Sequence, residues 1–449
     1  MAFLFDKILI ANRGEIAVRV IHACRELGIA TVSVYSSVDK ESLHVQIADE
    51  AVCIGPKEVK DSYLNIKSIL AACEITGAKA VHPGCGFLAE NKKFAKMVEL
   101  CGMKFIGPSE KAIDLLGDKI KAKKLVKEVG VPVVEGSDGA VYEVQHAKEI
   151  AKKIGYPIIV KAKAGGGGKG IRIVFEEKDL ESSFLLAQSE AIAYFGDGEI
   201  YIEKYIENPR HVEVQILADE YGNVVYLGER DCSVQRRNQK LIEEALSPAV
   251  DEKLRKKLGM AAVKVARACG YYNAGTVEFL LDKDNNFYFM EVNTRVQVEH
   301  GITELISGID IVKSQIKIAA GKKLKIKQSD LNFKGHSIEC RVNAENPEKG
   351  FLPSPGTIKD LNIPCGNGIR VDHAIYGGYT ILPYYDNMIA KVMVFDNTRK
   401  EAIAKMISAL AEFIVSGVDT NIDWHLKVLR NKDFRNANVD IGFLSRLGY

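Results

Sequence analysis

Strands and helices alternate through the first hundred residues of this chain, and that alternation constrains the fold more than any other feature. Lys7-Ile8-Leu9-Ile10-Ala11 is apolar and extended, Glu15 to Leu27 has helical character, and Ala30 to Tyr35 reads as a second strand. Val52-Cys53-Ile54, a helix from about Asn65 to Thr76 and Ala80-Val81-His82 continue the series. Such β-α-β succession builds a parallel sheet covered by helices on both faces. The turn after the first strand, Asn12-Arg13-Gly14-Glu15, stands where a dinucleotide loop would, but it lacks the Gly-x-Gly-x-x-Gly spacing. Residues 82–91, HPGCGFLAEN, form a glycine turn at a strand's C-terminal end, where open α/β sheets place ligands.

At 449 residues the chain has room for two to four domains of about 150 residues each. Its 61 basic and 59 acidic residues nearly balance, which gives no support to a nucleic-acid or membrane-surface partner. Nine dispersed cysteines without a Cys-x-x-Cys pair point to reduced thiols and a cytoplasmic setting. Met1 to Phe5 is too short for a signal sequence, and no apolar run approaches the roughly 20 residues that span a bilayer.

A second segment opens at Gly107-Pro108-Ser109, with Ser109 as cap of a helix carrying Ile113, Leu115 and Leu116. Gly130-Val131-Pro132 breaks the next helix, and a strand-rich unit runs on to about residue 205. Within it, Lys161-Ala162-Lys163-Ala164-Gly165-Gly166-Gly167-Gly168-Lys169-Gly170 places a glycine loop between two strands. No Ser or Thr follows Lys169 and no helix follows the loop, so this is not a Walker P-loop. A loop without Cβ atoms can bring backbone N–H groups onto a triphosphate, with Lys161 and Lys169 adding charge; the plain alternative is a flexible hairpin. Tyr201 to Ile206 reads as a strand entering a linker, with a backbone edge suited to adenine.

Chemistry concentrates further along. His211 to Ile216 alternates as a strand, Tyr226 to Asp231 is another, and Cys232 to Lys240 gathers cationic and amide groups ahead of Glu243-Glu244. Gly275 to Leu281 and Phe287 to Met290 flank the turn formers Asp282 to Asn286, which predicts an antiparallel hairpin facing Glu278 toward Glu291. Glu291, Asn293, Arg295, Gln297 and Glu299 share parity, so an extended strand makes them one polar row suited to hard cations and oxyanions; a solvated edge strand is the bland alternative.

Together these segments resemble the biotin carboxylase family within the ATP-grasp superfamily, over essentially the whole chain. The matching segments are ANRGEIAVRV from Ala11, HPGCGFLAEN, GDK from Gly117, KAKAGGGGKG from Lys161, ENPRHVEVQ from Glu207 and GERDCSVQRRNQK from Gly228. They continue with the Glu278 strand, EVNTRVQVEH from Glu291, ECRVNAE from Glu339, FLPSPG from Phe351 and YYDNMIAK from Tyr384. The resemblance implies an α/β protein in three parts. A parallel-sheet domain would cover residues 1–113, and an ATP-grasp domain 114–330 with a lid at about 131–205. A mixed, barrel-like α/β domain would cover 331–449.

Residue roles follow from the resemblance. Lys119, Lys161, Gly167 and Gly168 would meet the phosphates of ATP. Glu203, Lys204, Tyr205 and Ile206 would line the adenine pocket, with His211, Gln235 and Asn238 near the nucleotide. Glu278, Glu291 and Asn293 would hold two Mg²⁺ or Mn²⁺ ions. Lys240, Arg295, Gln297 and the Val298 backbone would bind bicarbonate, Glu299 would be its base, and Arg341 would stabilise the biotin enolate. Asn238 stands where a histidine is common, Lys163 and Ala164 replace smaller residues, and Gly301 replaces a proline, which is expected to loosen the segment bearing the base.

A helix from about Arg399 to Val415 buries Ile403, Met406, Ile407, Leu410 and Phe413 on one face. No Ala-Met-Lys-Met biotin-attachment motif is present, and no length remains for a carboxyltransferase. Biotin is therefore expected on a separate carrier protein, with carboxyltransferase subunits and a homodimer implied by the family. Acetyl-CoA carboxylase is the leading parent complex. A pyruvate, 2-oxoglutarate or propionyl-CoA carboxylase is the alternative, and a non-catalytic ATP-binding module the remote one.

Overall fold

In the computed structural model, residues 5–162, 170–195 and 198–449 are described. Lys163, Ala164, Gly167, Gly168 and Lys169 lie outside them. The chain divides into two compact units, one of residues 1–129, 210–279 and 291–449, the other of residues 130–209 and 280–290. Among the described residues no helix is long and apolar enough to cross a membrane.

The alternating start of the chain folds as a five-stranded sheet. Strands β1 (Lys7–Ile10), β2 (Ala30–Ser36), β3 (Glu50–Gly55), β4 (Ala80–His82) and β5 (Lys104–Phe105) lie in the order β3-β2-β1-β4-β5, all parallel. Strand alternation sorts the apolar residues onto two faces. Ile8 and Ile10 pack with Val20 and Ile21 of helix α1 (Gly14–Glu26), while Leu9, Val32 and Val81 pack with Ile69 and Cys73 of helix α2 (Ile66–Thr76). Asn12 closes the sheet's C-terminal edge by donating from Nδ2 to the carbonyls of Pro83 and Cys85, each at 2.8 Å. Gly84 permits this approach: its φ is +65°, and a Cβ there would lie 2.7 Å from Asn12 Nδ2. Ser109 caps helix α3 (Glu110–Gly117), and Asp118 caps helix α4 (Lys119–Glu128).

The smaller unit carries a three-stranded antiparallel sheet of β6 (Ile158–Ala162), β7 (Ile171–Val174) and β8 (Ile200–Lys204), with β6 central. Its helices cover one face through Ala147, Ala151, Phe184 and Ala187.

The larger unit is organised by an eight-stranded sheet. Strands β9 (Arg210–Ala218), β10 (Val224–Arg236), β11 (Gln239–Ala245), β12 (Asn273–Leu281), β13 (Phe287–Asn293), β14 (His336–Asn343), β15 (Ile369–His373) and β16 (Met388–Asp396) take the order β13-β12-β9-β10-β11-β14-β16-β15. The C-terminal strands thus continue the sheet begun by β9 through the antiparallel β11–β14 pair, rather than closing among themselves as a barrel among the described residues. Helix α5 (His300–Ser307) lies across β10, β11, β14 and β16.

Two local expectations change. Helix α6 (Arg399–Glu412) stops before Val415, because Ile414–Val415 pairs with Leu361–Asn362. The polar row from Glu291 to Glu299 does not stay extended. Strand β13 ends at Asn293, where Glu90 accepts the Thr294 N–H at 2.9 Å and the chain turns toward α5.

Candidate active site

The centre of the site is Arg230, wholly buried on β10. Guanidinium offers five N–H donors, and all five are used. Nε binds Glu213 at 2.5 Å, Nη1 binds Gln215 at 2.8 Å and Thr303 at 2.9 Å, and Nη2 binds Thr276 at 3.2 Å and Gln297 at 2.6 Å. His211, Glu213 and Gln215 alternate along β9 and therefore share one face. Because Gln297 gives its oxygen to Arg230, its amide nitrogen is left to donate to Glu278 at 2.8 Å.

Lys240 spends its three ammonium hydrogens on three carboxylates: Glu213 at 2.5 Å, Glu299 at 2.7 Å and Glu278 at 3.1 Å. The second oxygen of Glu299 accepts from Arg341 Nη2 at 2.9 Å, and Arg341 Nε reaches Glu243 at 2.6 Å. Glu278 also accepts from Asn293 and faces His211, both at 2.8 Å. Seven of the expected residues therefore meet around two acids: His211, Lys240, Glu278, Asn293, Gln297, Glu299 and Arg341.

Burial disfavours ionisation of Glu299, yet Lys240, Arg341 and Arg230 outweigh it and hold the carboxyl well below its usual range. Glu278 behaves likewise, lowered by Lys240 and His211 against its burial. Burial works against the charge of Lys240 as well, but the surrounding carboxylates of Glu213, Glu299 and Glu278 raise its proton affinity well above normal.

The remaining expected residues of the larger unit lie farther out. Arg295 Nε binds Glu90 at 2.9 Å and its Nη2 binds Asn293 Oδ1 at 3.0 Å, which ties the turn after β4 to the site. Glu291 is half-exposed and stands 3.6 Å from Lys119. Val298 presents its carbonyl to the wholly buried Lys391. Gln235 is the register partner of Lys240, while Asn238 is exposed at the tip of the β10–β11 hairpin. Arg237 and Asn238 both have positive φ, +49° and +64°, as a tight two-residue hairpin turn requires, and asparagine tolerates that conformation. In the smaller unit Lys161 and Glu203 pair at 2.6 Å. The Lys204 ammonium is taken by the carbonyls of Gly155 and Tyr156, and Tyr205 and Ile206 follow half-buried.

Glu278, Glu291 and Asn293 offer only carboxylate and amide oxygen, with Glu278 held ionised, and this donor set fits a hard divalent cation. Two other clusters, His211-Glu213-Glu278 and Glu213-Cys232-Glu299, have metal-like spacing. The single ammonium of Lys240 already donates to both clusters and supplies the positive charge they share.

Gly301 also has a packing constraint of its own. A Cβ there would lie 2.2 Å from Met393 Sδ, so the position is closely packed under β16 and a larger residue requires a shift of Met393. Sequence reasoning also left Glu90, Glu213, Arg230, Glu243, Glu339 and Lys391 without roles. Only Glu213 and Gln215 carried a local signal, their parity with His211.

Three family models match the chain. Residues 4–113 match the biotin carboxylase N-terminal domain, 118–327 the ATP-binding domain of the carbamoyl-phosphate synthase L chain, and 339–446 the biotin carboxylase C-terminal domain. Biotin carboxylase 1 of Bacillus subtilis is 55% identical over 442 residues, 98% of each chain. A Campylobacter jejuni biotin carboxylase solved as a β,γ-ATP complex superposes with a TM-score of 0.93 at 50% identity, covering 98% of this chain and 99% of that one. The biotin carboxylase domain dimer of Hydrogenobacter thermophilus 2-oxoglutarate carboxylase, solved with MgADP, ADP and bicarbonate, gives a TM-score of 0.92 at 51% identity, covering 99% and 98%. The chain therefore belongs to the biotin carboxylase family of C–N bond-forming ligases.

Proposed function

We propose that this chain carboxylates biotin on a separate carrier protein, using ATP and bicarbonate through carboxyphosphate. The observation that carries the reading is Glu299 suspended between two cations, Lys240 at 2.7 Å and Arg341 at 2.9 Å. Bicarbonate is a poor nucleophile until its remaining proton is removed. Glu299 is ionised and ready to accept that proton, but its ion pairs make it a weak base. As Lys240 turns toward bicarbonate, Glu299 loses part of that stabilisation and its proton affinity rises, so substrate binding itself activates the base. Arg295, Gln297 and the Val298 backbone orient the anion for attack on the γ-phosphate.

Carboxyphosphate then yields CO₂ and phosphate, phosphate takes the ureido proton of biotin, and Arg341 stabilises the resulting oxyanion. Glu278, Glu291 and Asn293 would hold Mg²⁺ or Mn²⁺, which when bound neutralises charge on the β- and γ-phosphates. Lys119, Lys161, Gly167 and Gly168 are assigned to the phosphates. Glu203 to Ile206, His211, Gln235 and Asn238 are assigned to the nucleoside side.

We assign the chain to a cytoplasmic homodimer that serves acetyl-CoA carboxylase with its carrier and carboxyltransferase subunits. The likeness to a 2-oxoglutarate carboxylase domain keeps that class of parent complex as the second reading. Steady-state ADP release with MgATP tests the half-reaction: it should require bicarbonate and rise with free biotin. Nucleotide binding without such release would overturn the reading. Supplying the carboxylated carrier to carboxyltransferase with acetyl-CoA, pyruvate or 2-oxoglutarate decides the acceptor.

A further inference from the structure

Strands β11 and β14 run antiparallel in the middle of the large sheet, and their register sets Glu243 directly opposite Glu339. Residues so paired share a face of the sheet, and both of these side chains are wholly buried. Only one of their four oxygens is hydrogen-bonded. Glu243 Oε1 takes Arg341 Nε at 2.6 Å, whereas Glu243 Oε2 and both Glu339 oxygens have no hydrogen-bond partner among the described residues.

The charged groups facing the pair are few and mostly committed. Lys391 on β16 donates to the Val298 carbonyl and lies 3.2 Å from Glu15 of α1 and 3.8 Å from Asp372 of β15. Lys240 on β11 is held by its three other carboxylates. Glu299, at the start of α5, adds a further negative charge, and the neighbouring His300 is kept neutral by burial and by Lys391. Cys232 of β10 and Cys340 of β14 remain thiols because burial raises both well above their usual range. Arg341 is the one cation bonded to the pair, and it is shared with Glu299.

Two adjacent carboxylates in a dry interior are not both kept ionised when Arg341 is shared with Glu299 and the second nearby cation, Lys391, is spent on the Val298 carbonyl and Glu15. A carboxylic acid supplies the O–H that these oxygens lack, and the ion pair with Arg341 fixes the charge on Glu243. We propose that Glu243 and Glu339 form a one-proton carboxyl pair, with the proton on Glu339, which places a single negative charge behind Arg341 and leaves its outer N–H groups for a substrate oxyanion. Arg341 Nη1 has no hydrogen bond among the described residues, consistent with that division of labour. Burial raises the proton affinity of Glu339 well above normal, with the charges of Glu243 and Glu299 adding to it against Lys391 and Arg341, and burial with Glu299 raises that of Glu243 against Arg341 and Lys240. When the pair loses its proton to solvent, a second negative charge draws the guanidinium inward and carboxyl transfer slows. Glu339 is thus a positioning residue, and the inference rests on the assignment of Arg341 to the biotin oxyanion.

Isotope-edited infrared spectroscopy of the full-length protein labelled with carbon-13 glutamate tests the pair without turnover. A protonated-carboxyl band is expected at about pH 7 to 8, diminished by one carboxyl in Glu339→Gln. A band unchanged by that substitution overturns the proposal. Should that variant fail to fold, titration of the wild-type band decides, since disappearance of all protonated-carboxyl signal on raising the pH only to about 6 also overturns it.

Turnover tests the consequence. The alkaline limb of biotin-dependent ADP release should move up by about one pH unit or more in Glu339→Gln, whereas Glu339→Asp, which still titrates, should retain a limb. An unmoved limb overturns the link to Arg341. Absence of biotin-stimulated release in the wild type overturns the assignment of the site instead, and the infrared band then judges the pair alone.

Discussion

The two large sheets of this protein solve opposite problems. In the parallel sheet, Ile8, Leu9, Ile10, Val32 and Val81 fill the strand interiors, and its link to the site is made beyond a strand end by Glu90. In the eight-stranded sheet the strand interiors themselves carry His211, Glu213, Gln215, Arg230, Glu243, Glu339, Arg341 and Lys391. Apolar burial stabilises the first at roughly 25 cal/mol per Å². Each ion in the second must recover its desolvation cost from partners, and a buried ion pair often gains little net stability. The difference teaches what the proposed chemistry would require: an expensive interior in the second sheet, where anions would be bound, and protons moved, out of reach of bulk water.

The largest expected effect tests the functional sheet. Glu299→Gln should lower biotin-dependent ADP release by about 10²- to 10⁴-fold while nucleotide affinity, read by calorimetry, is retained. Near-normal turnover would remove Glu299 as the base.

The next effect compares the sheets directly by chemical denaturation. Glu213→Ala leaves Arg230 and Lys240 short of a shared carboxylate and should cost about 3–5 kcal/mol. Leu9→Ala should cost about 2–5 kcal/mol through a cavity. Only the first should also raise the KM for bicarbonate, and an equal shift in both variants would erase the contrast. A smaller effect sharpens it: Gly301→Ala should cost about 1–3 kcal/mol by crowding Met393, and Met393→Ala in the same chain should relieve part of that cost. Full additivity in this cycle would mean the two residues do not share the space.

The parallel sheet was legible because its signal is local: apolar strands, helices and turn residues follow one another in chain order. Ser109 as a cap and the core face of helix α6 were legible for the same reason. The β11–β14 pairing was not, since it joins segments separated by about ninety residues and no local pattern encodes that register. Without it, Glu243 and Glu339 are merely two acids in different motifs. The row from Glu291 to Glu299 breaks after Asn293, where a distant residue, Glu90, accepts the Thr294 N–H. Val415 was drawn into a helix by periodicity, while pairing with Leu361 made it a strand. Lys240, Glu278, Glu299 and Arg341 were readable by identity, but Arg230 at the centre was not, and the partnerships depended on tertiary register.

The shared β11–β14 row has a consequence for how such proteins can be dissected or recombined. A cut between residues 327 and 339, the gap between two family models, severs a sheet at its middle rather than at a linker. Each fragment would carry a raw strand edge, one bearing Glu243 and the other Glu339 and Arg341. Modularity in sequence therefore stops short of modularity in space, and the second and third segments are inherited as one piece.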